Sequence, residues 1–233
     1  NGSLYQPVYG TDDDLVLYLP FNAPNGTTQF DRSPFGNDGI QYNTTNCNAT
    51  LGKYGAACEF NTNSYINISD DASLRLNQTW TLEAWVKLSP HGENFHSIVE
   101  KGAFDTGNLA LLVRGTDNLV LRVQTNELGP ASSCDGTTAV EDGNWHHIAG
   151  TFDGSNLKAY TDGVLEGDCS STGTITIDSD PWYIGSRDGA TFLANGTIDE
   201  VKIYKRALSV EEIRTHYLRG KGFGASGAIT ANE

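Results

Sequence analysis

The stretch DGNWHHIAGTFDGSNLKAYTDG, residues 142–163, sets His146 and His147 beside Trp145 and follows them with Asp153 and Asp162. Imidazoles with carboxylates nearby could ligate a metal ion or relay protons. The apolar residues around them have the spacing of a β-strand, however, and on a strand neighbouring side chains leave on opposite faces. His146 then shares a face with Ile148 and Phe152, and His147 with Trp145 and Ala149. Two imidazoles pointing apart cannot hold one ion. The pair is expected to pack and hydrogen-bond within a two-layer sandwich rather than to do chemistry.

Sugar recognition is a second chemistry to consider, since a pyranose face stacks on an aromatic ring while its hydroxyls need polar partners. SPHGENFHS (89–97) offers His91, Glu93, Asn94 and Phe95, and WYIGSRDGATF (182–192) offers Arg187 and Asp188. Trp80 and Trp85 flank a strand and are expected in the core. The acids are poorly placed for hydrolysis. Asp199 and Glu200 in IDE sit on opposite faces of a strand, and VED (140–142) lies in a turn. Retaining glycoside hydrolysis needs two carboxyls ~5 Å apart. G-x-S-x-G, H-E-x-x-H and a glycine-rich phosphate loop are absent from the sequence, so no enzymatic activity is expected.

The segments that position these groups read as short strands. Apolar runs recur at LVLYLPF (15–21), YINI (65–68), WTLEAWVKL (80–88), FHSIVEK (95–101), LALLVRG (109–115), LVLRVQT (119–125), WHHIAGTF (145–152), LKAYTDG (157–163), TITI (174–177), WYIGS (182–186) and GTIDEVKIYK (196–205). Asp-Gly, Asp-Asn and Ser-Asn pairs punctuate them as tight hairpins require, one turning at Asp117-Asn118. LVLYLPF is expected to be buried on both faces. In RALSVEEIRTHYL (206–218) Ser209 caps a helix, Glu212 completes a capping box, and Leu208 with Ile213 forms a hydrophobic staple. The expected organisation is an N-terminal arm or linker (1–14), one domain (15–218) and a flexible glycine-rich tail (219–233).

Composition narrows the function classes. The 233 residues carry a net charge of −14, which argues against nucleic acid as a partner. No apolar run reaches the ~18 residues of a membrane span, so no membrane insertion by this chain is expected. The start at Asn1 and the lack of methionine suggest a mature or excised fragment whose targeting signal lies elsewhere. Cys47, Cys58, Cys134 and Cys169 allow three pairings; the economical reading is 47–58 and 134–169, in an oxidising compartment. Sequons begin at Asn1, Asn25, Asn43, Asn48, Asn67, Asn77 and Asn195. Together with the disulfides they point to an extracellular or cell-surface location.

The ordered motifs WTLEAWVKLS, DGNWHHIAGTFDGSNLKAYTDGVLEG, WYIGSRDG and NGTIDEVKIYKRALSVEEIRTHY, with LVLYLPFNAPNG, FDRSPFGNDG and GKYGAACEF upstream, resemble the laminin-G-like, concanavalin A-like lectin jelly-roll domain family. The resemblance covers about residues 15–218. It implies an all-β fold of two antiparallel sheets, one concave and one convex, with one short C-terminal helix. It also implies a glycan-binding or adhesion module of a larger surface protein, and in many members a structural Ca²⁺. Asp199 is the ligand the resemblance favours most. Asp31, Asn37 and Asp38 supply further oxygens of the type calcium requires. Asn22 stands where an Asp is common, which weakens a cation site there. The E-x-D-x-E strand of the family's laminarinase-type glycosidases is missing. The implied partner is a cell-surface glycan or protein. The alternative is a structural subunit of a filament or layer, self-associating through its terminal segments.

Overall fold

In the computed structural model the described residues lie between 14 and 221, except 23–25, 44, 49, 62, 91–94, 103–108, 115–119, 126–132 and 172–178; for 120–125 the strand backbone alone is described. Two eight-stranded antiparallel sheets face each other. Strands are numbered in chain order. The first sheet runs β14 (Val164–Ser170), β13 (Asn156–Thr161), β12 (His146–Phe152), β7 (Trp80–Leu88), β16 (Gly196–Tyr204), β5 (Ala57–Phe60) and β4 (Asn46–Asn48), with β1 (Leu15–Leu19) also on β16. The second runs β11 (Ser133–Asp135), β10 (Val120–Thr125), β9 (Leu109–Arg114), β8 (Phe95–Lys101), β15 (Trp182–Ile184), β6 (Tyr65–Ile68), β3 (Gly39–Tyr42) and β2 (Thr28–Gln29).

Alternation along the strands builds the core between the sheets. Trp80, Leu82, Ala84, Val86 and Leu88 of β7 point inward against Ile66, Ile68, Trp182 and Ile184 of the second sheet. β1 is buried throughout, as its unbroken apolar run predicts. The disulfides are Cys47–Cys58, between paired residues of β4 and β5, and Cys134–Cys169, which ties β11 of one sheet to β14 of the other.

The helix α1 (Val210–Lys221) lies over the outer face of the first sheet. Its start follows the sequence signature. The Ser209 amide donates to Glu212 Oε2 at 2.8 Å, and the Glu212 amide donates back to Ser209 Oγ at 3.3 Å. Leu208 and Ile213 are buried with Leu15, Tyr18, Ala149, Tyr160 and Tyr204 in a second apolar cluster. The end differs from expectation. The helix continues past Leu218, and buried Gly220 packs on Trp85, where a β-carbon would come within 2.0 Å of the indole. Gly220, expected in the flexible tail, permits this close approach because it carries no β-carbon.

Sequence reading passed over β14 and most of the brief pairings in 28–60, where Asn, Gly and Thr mask the alternation. TITI, the Asp117-Asn118 turn, the 1–13 arm and the 222–233 tail lie outside the described residues.

Candidate functional site

The histidines separate as the strand geometry requires. His146 Nδ1 lies 2.9 Å from Asp162 Oδ2 and its Nε2 3.2 Å from Asp142 Oδ1. The Asp162 hydrogen bond, together with Asp142, raises its pKa despite partial burial. His147 leaves on the other side, with its ring centre 5.4 Å from that of Trp85 and its Nε2 3.5 Å from Glu83.

Beneath α1, Glu83 is wholly buried. Lys202 Nζ sits 3.0 Å from its Oε1 and His216 Nδ1 2.9 Å from its Oε2. Burial opposes its charge, but Lys202 and His216 prevail and hold its carboxyl well below the usual range. Glu200 accepts the Tyr18 hydroxyl at 2.8 Å and is pushed up by burial. Both acids are buried and engaged by internal partners.

Asp199 sits at a bulge in β16, where the edge passes from β5, paired with Gly196–Ile198, to β1, paired with Val201–Tyr204. Its Oδ2 accepts the amides of Lys53 at 2.8 Å and Tyr54 at 3.1 Å, and its Oδ1 accepts that of Glu200 at 2.8 Å. Burial, reinforced by Glu200, pushes its pKa up to about 8. Asn22 Oδ1 holds the same turn by accepting the Ala56 amide at 3.0 Å.

The other oxygen donors gather in a different loop. Asp31 accepts four hydrogen bonds: from the Tyr18 and Ser33 amides on Oδ1, and from Ser33 Oγ and the Asn37 amide on Oδ2. These fill the lone-pair sites of a carboxylate. Asn37 donates to the Val16 carbonyl and to Ser73 Oγ, while Asp38 accepts the Asp31 amide. Among the described residues no three His, Cys, Asp or Glu form a metal-holding group.

Of the sugar-contact candidates, His91, Glu93 and Asn94 lie outside the described residues. Arg187 Nε donates to buried Glu100 at 2.6 Å, and its guanidinium lies 3.9 Å from the centre of the Phe192 ring. Asp188 accepts the Ala190 and Thr191 amides, closing a turn. Phe95 packs on Phe192, with ring centres 4.9 Å apart. The three described candidates thus shape the 186–192 loop at one end of the second sheet. Trp80 is in the core; Trp85 is buried too, but under α1.

The aromatic surface lies elsewhere. Ile66, Ile68, Trp182 and Ile184 face the core, so Tyr65, Asn67 and Tyr183 face outward. Register places Ile40, Asn67 and Tyr183 in one row across β3, β6 and β15, and sets Tyr42 opposite Tyr65. The Tyr42 and Tyr65 rings stack at 4.8 Å, and Tyr183 lies 5.9 Å beyond Tyr65. Tyr42 and Ile40 remain 43% and 40% exposed, enough to meet a ligand. The Asn67 side chain lies beside that of Tyr183, its partner in register. Gly189, at φ +83, brings the 186–191 turn against Tyr65, where a β-carbon would stand 3.0 Å from the ring. Sequence reading missed this surface because each tyrosine comes from a different strand; the one signal was that YINI sets Tyr65 and Asn67 opposite its two isoleucines, as WYI sets Tyr183 opposite Trp182 and Ile184.

Comparison with known proteins agrees with this architecture. The family described as the concanavalin A-like lectin/glucanases superfamily matches residues 60–214. Domain 4 of AbnA, an extracellular arabinanase from Geobacillus stearothermophilus solved with arabinotriose, has a TM-score of 0.70 at 21% identity, covering 87% of this chain and 97% of that one. The botulinum neurotoxin serotype C1 binding domain has a TM-score of 0.69 at 12% identity, covering 91% of this chain and 53% of that one. The binding domain of Paraclostridial Mosquitocidal Protein 1 gives 0.67 at 16%, covering 89% and 52%. The chain spans about half the length of these toxin domains. No curated protein matches it significantly.

Proposed function

Because the chain belongs to the concanavalin A-like lectin/glucanase superfamily, we propose that it is a non-catalytic extracellular or cell-surface module that binds glycan on the tyrosine row of its second sheet. The observation that carries this reading is the convergence of Tyr42, Tyr65 and Tyr183, with Asn67 and Ile40 beside them, on three adjacent strands. Strand spacing of ~4.8 Å makes the three-strand row about 10 Å across, suited to a short run of sugar rings lying across it. Exposed rings supply stacking area, and the tyrosine hydroxyls and the amide supply directional partners.

Solved relatives lend support of the same kind. The AbnA domain was obtained with arabinotriose, and a structure of the type C botulinum neurotoxin describes interaction with two ganglioside molecules. Two buried acids support the non-catalytic reading, since Glu83 is engaged by Lys202 and His216 and Glu200 by the Tyr18 hydroxyl. The disulfides suit an oxidising, extracellular setting. No helix among the described residues is long and apolar enough to cross a membrane.

A structural calcium fits at Asp199 and Asn22 better than at Asp31, Asn37 and Asp38. Asp199 is a buried carboxyl whose charge is poorly compensated, and Asn22 joins it at the 53–56 turn. Asp31 has its oxygens filled. The ion would supply positive charge where the first and last strands meet.

A glycan array tests the function, with Tyr42→Ala and Tyr183→Ala as controls. Binding that disappears in both variants is the expected result. Silence of the wild-type chain made without N-linked glycan, together with self-association in solution, would transfer the reading to a structural subunit of an assembly.

A further inference from the structure

Asn67 lies in the sequon Asn67-Ile68-Ser69, and its position in the fold is unlike that of the other described sequons. Asn43, Asn48 and Asn77 are exposed, in a turn, on an edge strand and in an irregular segment, while Asn195 directly precedes β16. Asn67 is at the middle of β6, paired with β3 on one side and β15 on the other. Its side chain leaves on the outward face beside that of Tyr183, its register partner on β15. The next residue, Ile68, is wholly buried, and Ser69 is exposed.

We infer that Asn67 is an N-glycosylation site whose linking sugar packs on Tyr183 and Tyr65, so that the chain's own glycan covers the tyrosine row. The inference rests on the reading of that row as a surface that contacts sugar. In the transfer, Asn67 Nδ2 bonds to the anomeric carbon of a lipid-phosphate-linked sugar. The bond from that carbon to the phosphate oxygen breaks, the lipid phosphate leaves with the electron pair, and the amide gives one proton to the transferase. With Ile68 in the core, a transferase cannot seat the folded sequon, so modification precedes closure of the sheet. A sugar fixed to Asn67 starts within a side chain's length of two rings and loses little further freedom on stacking. The face is then closed to external glycan wherever Asn67 is occupied, and open where it is not.

The test compares wild type with Ser69→Ala, both expressed in a secretory host that modifies N-x-S/T; Ser69→Ala destroys the sequon and leaves Asn67 and the row intact. Peptide mass spectrometry reads occupancy, with Asn77 as internal reference. NMR reads ring-current shifts of the linking sugar, with Tyr183→Ala as control. An occupied Asn67 with upfield-shifted sugar protons that relax in Tyr183→Ala is expected. Ser69→Ala is then expected to bind array glycans about tenfold more tightly than wild type. An empty Asn67 beside an occupied Asn77 overturns the inference, as do sugar shifts indifferent to Tyr183→Ala. If the shifts appear but Ser69→Ala binds no glycan, the packing stands and the glycan-binding function falls.

Discussion

Lys202 Nζ lies 3.0 Å from Glu83 Oε1, and both side chains are buried between the first sheet and α1. Removing one partner strands the other charge in a site of low polarity, where breaking a buried pair costs ~3–5 kcal/mol. Lys202→Met should lower the denaturant midpoint by a corresponding amount, and Glu83→Leu added to it should restore much of the loss. A single variant as stable as wild type would mean that water reaches the pair.

Gly220 tests the seat of the helix. Alanine is the better helix former by ~1 kcal/mol, so Gly220→Ala would stabilise a helix standing free of its neighbours. Its β-carbon would fall 2.0 Å from the Trp85 ring, and overpacking of this kind costs ~1–3 kcal/mol. A net fall in melting temperature with altered Trp85 fluorescence is expected. A rise would show that α1 stands off the sheet.

His146 makes stability depend on pH. Its pKa is raised above the ordinary 6.5, first by the hydrogen bond to Asp162 and then by Asp142. The contribution is complete below the unfolded value and declines as pH rises through the raised folded value. The imidazole resonance followed by NMR should titrate above pH 6.5, and in Asp162→Asn should move down. A midpoint unchanged by that substitution would remove Asp162 as the cause.

Calcium should raise the melting temperature of the chelator-treated protein, because an ion that binds only the folded chain stabilises it, by ~2.7 kcal/mol at a hundredfold excess over Kd. The gain should vanish in Asp199→Asn and persist in Asp31→Asn, judged against each variant's own calcium-free baseline. A gain lost in Asp31→Asn and kept in Asp199→Asn would move the site to the 31–38 loop.

Much of this protein is legible along the chain, because alternation and capping are local. WTLEAWVKL has to be a strand with one apolar face, adjacent histidines have to diverge, and Ser209 with Glu212 has to open a helix; all three hold in the structure. What local pattern cannot encode is which strands become neighbours. Tyr42, Tyr65 and Tyr183 form one surface only through the pairing of β3, β6 and β15. Arg187 looks free in a polar loop until the fold supplies Glu100. Gly220 belongs to the expected tail until the fold lays Trp85 beneath it. Residue order alone therefore determined the long alternating strands and the helix start, and favoured the cysteine pairing that the structure holds. Tertiary structure decided which sheet face carries α1 and which displays the tyrosine row, since that choice rests on long-range pairing and on burying the apolar side of each element.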